Sequence, residues 1–288
     1  MQPNLRVAFF YFDYYNGRVK NLIIIADYCQ DTLTTQELKS AFIGHLSSSF
    51  SSQLSFVHST PSTIHTAFLL KQILITESRL GDPNNLVIFV NTDPRLQTIK
   101  GVKLSQGAQF VVAKLKNGAW LCGPNAGHSF SLIREEIEYL YLYPNLDKGS
   151  QFRSRELYMR VAALLVEAKQ DEMQLEEIRN NDILVLNEFY IGHIDNYGNM
   201  KTTAPNSFMK GKHEFGEKVK ITLNGQNKEA VYTDNMFGQE PGMLVLAPGS
   251  SGLPNDPYLE LIIWQHYPDT SARKAFPQAK PGDEIKLI

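Results

Sequence analysis

Three side chains able to accept or hold a proton stand directly behind apolar runs: Asp27 after LIIIA, His58 after Leu54–Val57, and Asp93 after LVIFVNT. Asp93 is locked beside Pro94, and Lys100 follows a few residues later. An aspartate at a strand end also serves as an ordinary turn residue, because its carboxylate bonds its own backbone. His58 read alone fits a loop or packing role. Taken together, two carboxylates at equivalent ends of parallel strands favour a ligand crevice over coincidental turns. Gly123–Phe130 (GPNAGHSF), Asp195–Asn199 (DNYGN) and Gly249–Gly252 (GSSG) are further polar or glycine-bearing stretches, each explicable as a plain loop or hairpin turn. No zinc-ligand spacing, phosphate-cradling glycine motif or nucleophile elbow occurs.

The elements that must hold these residues follow from periodicity. Arg6–Tyr15, Asn16-Gly17 and Arg18–Ala26 read as two strands about a tight turn. Thr34 and Glu37 have capping-box spacing ahead of a helical face of Leu38, Ala41, Phe42 and His45. Ser62 is placed to cap a second helix with Ile64, Ala67, Phe68 and Ile73 inward. The first hundred residues therefore predict strand–helix–strand–helix–strand, an α/β domain with a largely parallel sheet and crossover helices. In such sheets ligands bind beyond the carboxyl ends of the strands. Asn117-Gly118 predicts a hairpin, and Ser154–Ala168 a helix with Leu157, Val161, Leu164, Leu165 and Ala168 inward. The acidic, weakly periodic stretch 171–188 marks a boundary, after which short strands between Gly, Pro and Asn turns predict a smaller all-β barrel or sandwich. The implied division is an extension over 1–20, an α/β domain over 21–175, a linker over 176–188 and a β domain over 189–288.

Composition narrows the function classes. The chain has 288 residues, 43% hydrophobic, enough for one large core or two moderate ones. Its 28 basic residues against 30 acidic ones exert no general pull toward nucleic acid or anionic membrane. The early apolar run Val7–Phe12 is too short to span a bilayer and lacks a cleavage site, so the expected compartment is the cytoplasm. Two cysteines, Cys29 and Cys122, make neither a disulfide scaffold nor a thiolate zinc site. No metal or cofactor is expected.

Several segments in order resemble the S-adenosylmethionine hydroxide adenosyltransferases, relatives of the fluorinating and chlorinating adenosyl enzymes. Their T-D-F-G resembles Ala26-Asp27-Tyr28-Cys29, with the aspartate kept. Their V-D-P-G-V-G-T-x-R resembles the stretch from Thr92 to Lys100, with Asp93, Pro94 and Thr98 matching. G-P-x-N-G resembles Gly123–Gly127, and T-F-H-G-R-D resembles Gln151-Phe152-Arg153-Ser154-Arg155-Glu156. D-x-F-G-N-x-x-T-N matches at Asp195, Gly198, Asn199 and Thr202. N-S-x-G-x-L-E-I resembles Gly249–Gly252 followed, after an insertion, by Leu259-Glu260-Leu261. The resemblance runs from Asn21 to the C-terminus.

The resemblance implies a homotrimer that holds a nucleoside, S-adenosylmethionine or adenosine, between one subunit's α/β domain and a neighbour's β domain. Asp27 would take the ribose diol, since one carboxylate accepts from both hydroxyls. Asp195 would hold the methionine ammonium, Asn199 would serve the nucleoside pocket, and Ser250 or Ser251 would reach the amino-acid end. Phe152 and Ser154 belong to the ligand-binding set, and Phe237 is a candidate to stack on adenine. The implied reaction is in-line attack of activated water on the ribose 5′ carbon, releasing adenosine and methionine. Neutral methionine needs no acid to leave, so the difficulty is making water nucleophilic. Hydrolytic members use an Asp, an Arg and a His there. Here those positions hold Asp93, Lys100 and Arg153.

Two cations beside Asp93 lower its pKa and weaken it as a base, but they also stabilise hydroxide. A carboxylate at Asp93 repels a halide, which argues against halogenation despite the match at Ser154. Two functions stay open: hydrolysis of S-adenosylmethionine, or nucleoside binding without turnover. No nucleic acid or membrane partner is implied.

Overall fold

The computed structural model describes residues 20–47, 52–92, 98–99, 102–103, 108–144, 151–264 and 272–288. The hairpin expected about Asn16-Gly17, the 1–19 part of the expected extension, Asp93 and Lys100 lie outside the described residues.

Strands β1 (Lys20–Ala26), β2 (Ser52–His58) and β3 (Leu86–Asn91) pair in parallel, with β1 in the middle. The register sets Ala26 opposite both His58 and Asn91, so the three strands end level. Helix α1 (Thr32–His45) follows β1, and α2 (Thr63–Leu80) follows β2. After β3 a short ladder of β4 (Thr98–Ile99) and β5 (Val102–Lys103) precedes β6 (Phe110–Leu115) and β7 (Trp120–Pro124). With β8 (Ile137–Leu142) and β9 (Glu176–Ile178) these complete a seven-stranded sheet in the order β2-β1-β3-β7-β6-β8-β9.

That sheet is mixed, which corrects the expected α/β domain with its largely parallel sheet and crossover helices. Three of its pairings are parallel and three antiparallel. The physical reason lies past β3, where strands arrive through the Asn117-Gly118 hairpin and the 3₁₀ turn Ser131–Glu136 instead of through strand–helix units. Gly123 shows how closely the strands meet there: a Cβ on it would lie 2.0 Å from the Val90 carbonyl oxygen. The stretch expected as a linker contributes β9 to this sheet.

Side chains of β1 and β3 alternate between two cores. Leu22, Ile24, Val87 and Phe89 pack with Leu38 and Phe42 of α1 and with α3 (Met159–Val166). Ile25, Ile88 and Val90 pack with Leu70 and Leu74 of α2 on the other face. The N-cap of α1 is Asp31, whose carboxylate accepts from the Leu33 and Thr34 amides and the Thr34 hydroxyl; Thr34 is therefore inside the helix, not its cap. Ser62 caps α2 as the spacing predicts, accepting from the His65 amide at 3.3 Å. The helix expected over 154–168 begins as a π-turn, Ser154–Tyr158, and α3 ends at Val166, with Ala168 at φ 56°.

The C-terminal third is a closed barrel of β10 (Phe189–Ile194), β11 (Met200–Pro205), β12 (Lys218–Leu223), β13 (Gln226–Tyr232), β14 (Leu244–Leu253), β15 (Asp256–Ile263) and β16 (Glu284–Leu287). Closure by β16 on β10 removes the open sheet edges. A short α4 (Ala272–Ala275) packs Ala272 and nearby Phe276 into its core with Leu246, Leu259 and Leu261. No helix among the described residues is long and apolar enough to cross a membrane.

Candidate functional site

Because β1, β2 and β3 end level, the residues that follow them meet at one edge. Asp27 leaves β1 half-buried, and His58 ends β2 with its Nδ1 buried and unpartnered among the described residues. Asn91 ends β3, and its Nδ2 donates to Ser154 Oγ and, at 3.2 Å, to Tyr28 Oη. Ser154 is buried at the start of the π-turn, so four segments of chain converge on this edge. π-Turns cluster at functional sites because the extra residue re-aims side chains. Phe152 meets the Tyr28 ring edge-on at 5.7 Å between centroids. The Arg155 guanidinium lies 5.4 Å from the Phe152 centroid and is held by Glu37 at 2.9 Å and Glu156 at 2.7 Å.

Burial pushes the Tyr28 phenol well above its ordinary range, against the opposing effect of its bonds to Ser154 and Asn91, so it stays a neutral hydroxyl. Burial likewise pushes the Cys29 thiol up to about 11, which leaves it unsuited to act as a thiolate at neutral pH. Behind this edge three hydroxyls form a buried triangle. Ser59 Oγ lies 2.9 Å from Thr92 Oγ1, and Thr66 Oγ1 lies 3.0 Å from Ser59 and 2.7 Å from Thr92. The triangle ties β2, α2 and β3 together one residue before Asp93.

Of the residues predicted from sequence, Asp27, Phe152 and Ser154 come to this edge, while Asp93 and Lys100 lie outside the described residues. Arg153 immediately precedes the π-turn and is exposed. Tyr28, Asn91 and the hydroxyl triangle were missed. The signal for Asn91 was an amide closing an otherwise apolar strand; for Thr92 and Ser59 it was a hydroxyl directly after each strand.

The remaining predicted residues sit on the barrel. Asp195 and Asn199 come together in the β10–β11 turn: Asp195 Oδ1 accepts from the Tyr197 and Asn199 amides at 2.9 and 3.0 Å, and Oδ2 from Asn199 Nδ2 at 3.2 Å. Ser250 accepts from Lys201 Nζ at 3.0 Å, and the same ammonium pairs with the buried Glu260 at 3.0 Å. Ser251 is buried, and its hydroxyl has no hydrogen-bond partner among the described residues. Phe237 is 69% exposed, edge-on to Trp264 at 4.8 Å, so it is not a core residue. The Gly123–Phe130 stretch serves the start of α2, where the His128 amide donates to Thr63 Oγ1 at 3.1 Å. A cavity of about 450 Å³ on the barrel is lined by Asn206, His213, Phe215, Tyr232 and Asp256 among others, none of them in the predicted set. No group of three metal-ligating side chains occurs among the described residues.

No family model matches this chain, and no curated protein does. Among solved structures it is similar to an uncharacterized conserved protein from Thermotoga maritima, with TM-score 0.69 and 19% identity over 93% of this chain and 100% of that one. It is also similar to a conserved hypothetical protein from Thermus thermophilus, with TM-score 0.65 and 17% identity over 94% and 100%. The fold is thus shared with these two proteins over nearly the whole chain.

Proposed function

We propose that the protein binds S-adenosylmethionine at the edge formed by the ends of β1, β2 and β3, and hydrolyses it to adenosine and methionine by attack of activated water at the ribose 5′ carbon. The observation that carries this reading is the convergence of Asp27, Asn91, Phe152 and Ser154 on that edge from separate parts of the chain. A half-buried carboxylate suits a ribose diol, because it accepts two charge-assisted hydrogen bonds at once. The neighbouring aromatic and hydroxyl groups suit a ligand that is part flat and apolar, part polar. The family resemblance at Asp27, Asp93 and Asp195 supports the same ligand. In this reading Asp93 takes the proton of the attacking water, Lys100 and Arg153 stabilise the developing hydroxide, and a neighbouring subunit's Asp195 and Asn199 complete the pocket in a homotrimer.

A second reading, nucleoside binding without turnover, is favoured by one observation. Arg153, at the position where hydrolytic relatives carry histidine, is exposed and offers no neutral imidazole to share the proton. Adenosine formation from S-adenosylmethionine by the natural chain and by Asp93→Asn separates the two. Hydrolysis predicts measurable adenosine that falls about a hundredfold or more in the variant, as for a lost general base. Nucleoside binding with no adenosine formed by either protein supports the second reading. Hydrolysis unchanged by Asp93→Asn contradicts the mechanism.

A further inference from the structure

Helix α2 joins the sheet to the barrel, and near its start a pair of imidazoles meets across the seam. His65 is buried, and its Nε2 lies 2.8 Å from Nδ1 of His193 in β10. The Thr60 amide donates to His65 Nδ1 at 2.9 Å. A backbone N–H only donates, so His65 Nδ1 carries no proton and its proton sits on Nε2. That proton is donated to His193 Nδ1, which must be bare in turn. A proton on His193 Nδ1 would set N–H against N–H at the shared contact. A second proton on His65 would set N–H against the Thr60 N–H at 2.9 Å, with the Thr60 hydroxyl at 3.1 Å left to accept it.

The surroundings give little relief. His58 at the end of β2 opposes a charge on His65, which sits in the first turn of α2 at the positive end of its dipole. On the barrel, Lys201 of β11 opposes a charge on His193, while Asp195 in the following turn favours one. Lys201 is itself paired with Glu260. Burial first, and then His193 and His58, push His65 down to about 3. Burial and Lys201 lower His193 as well, outweighing Asp195. Further along the seam, Phe68 packs against Gly192 and the neutral Tyr258, and Gln72 Oε1 accepts from the Gly252 amide at 2.8 Å. The Lys71–Glu136 ion pair lies further along α2.

We propose that the His65–His193 contact is a pH-sensitive latch between the sheet and the barrel, closed while both rings are neutral and released when either takes up a proton. The latch concerns the seam and holds whether or not the strand-end edge turns over a nucleoside. Both groups bind protons more weakly in the closed form than at their ordinary 6.5. The latch therefore contributes fully above pH 6.5 and is lost as pH falls from there toward about 3. Within that window each histidine raises the open-to-closed ratio up to about tenfold per pH unit.

Amide hydrogen exchange of the full chain tests this, read at residues 63–72 and 189–194 and corrected for the chemical effect of pH on exchange. Protection in the natural chain should fall at least about tenfold between pH 7 and pH 5. In His193→Asn the carboxamide oxygen replaces Nδ1 as acceptor and cannot be protonated, so the fall should be smaller. Unchanged protection in the natural chain, or the same fall in the variant, overturns the latch. If the variant does not fold, imidazole titration by NMR in the natural chain decides it. Both rings titrating below 6.5 supports the proposal, and either one at or above 6.5 overturns it.

Discussion

Asn91 ties together the strand-end cluster, since one amide nitrogen serves both Ser154 Oγ and Tyr28 Oη. Asn91→Leu would remove the donor shared by the Ser154 and Tyr28 hydroxyls, leaving them only each other, at a cost of about 1–3 kcal/mol. Urea unfolding should show a lower midpoint with an unchanged slope. The other demanding pair is Lys201 with Glu260, side chains 15% and 6% exposed. Lys201→Met alone leaves a buried carboxylate uncompensated and should cost about 3–5 kcal/mol, whereas Lys201→Met with Glu260→Leu should recover most of it. Equal losses in the single and double variants would show that burial of the carboxylate is not the cause. At this scale the sequence was half readable. Asp27 and Ser154 stood out through their position after a strand and their resemblance to a motif. Neither Asn91 nor Tyr28 stood out on its own in the sequence, because their meaning lies in each other and they are 63 residues apart.

Helix α2 illustrates what periodicity does and does not carry. Its cap and inner face were readable, since Ser62, Ile64 and Phe68 follow helical spacing. Burial of His65 and Thr66 was not, because His65 is covered by His193 of the barrel and Thr66 by Ser59 and Thr92 at the strand ends. Gly192 marks how tight the barrel side is: a Cβ there would lie 2.2 Å from the Phe68 ring. Gly192→Ala should cost about 1–3 kcal/mol by overpacking. Gly44 is the matched control near the end of α1, with nothing within 4 Å of a new Cβ. Gly44→Ala should be neutral or stabilise by up to about 1 kcal/mol. Thermal unfolding of both variants checks the contrast, and equal effects would refute the packing argument. The mixed sheet was misread for a related reason. Apolar runs such as FVVAKL and LVIFV announce buried strands, but not which neighbour each will choose or in which direction. The Asn117-Gly118 turn was visible, yet nothing local says that β7 inserts beside β3.

At the scale of the whole molecule, the two sets of predicted site residues lie on different halves, Asp27, Phe152 and Ser154 with the sheet, Asp195, Asn199, Ser250 and Ser251 with the barrel. A pocket completed by a neighbouring subunit predicts a particle of three times the chain mass by light scattering. A monomer that still binds nucleoside would contradict that assembly. The central claim is narrower and more direct: a nucleoside sits at the ends of β1, β2 and β3 with its ribose on Asp27. Calorimetric titration of adenosine into the natural chain and into Asp27→Ala tests it. Losing charge-assisted hydrogen bonds worth about 1.5–3 kcal/mol each should weaken binding at least about tenfold, with the variant still folded by circular dichroism. Equal affinity in the two proteins, or no binding to the natural chain at millimolar adenosine, would contradict it.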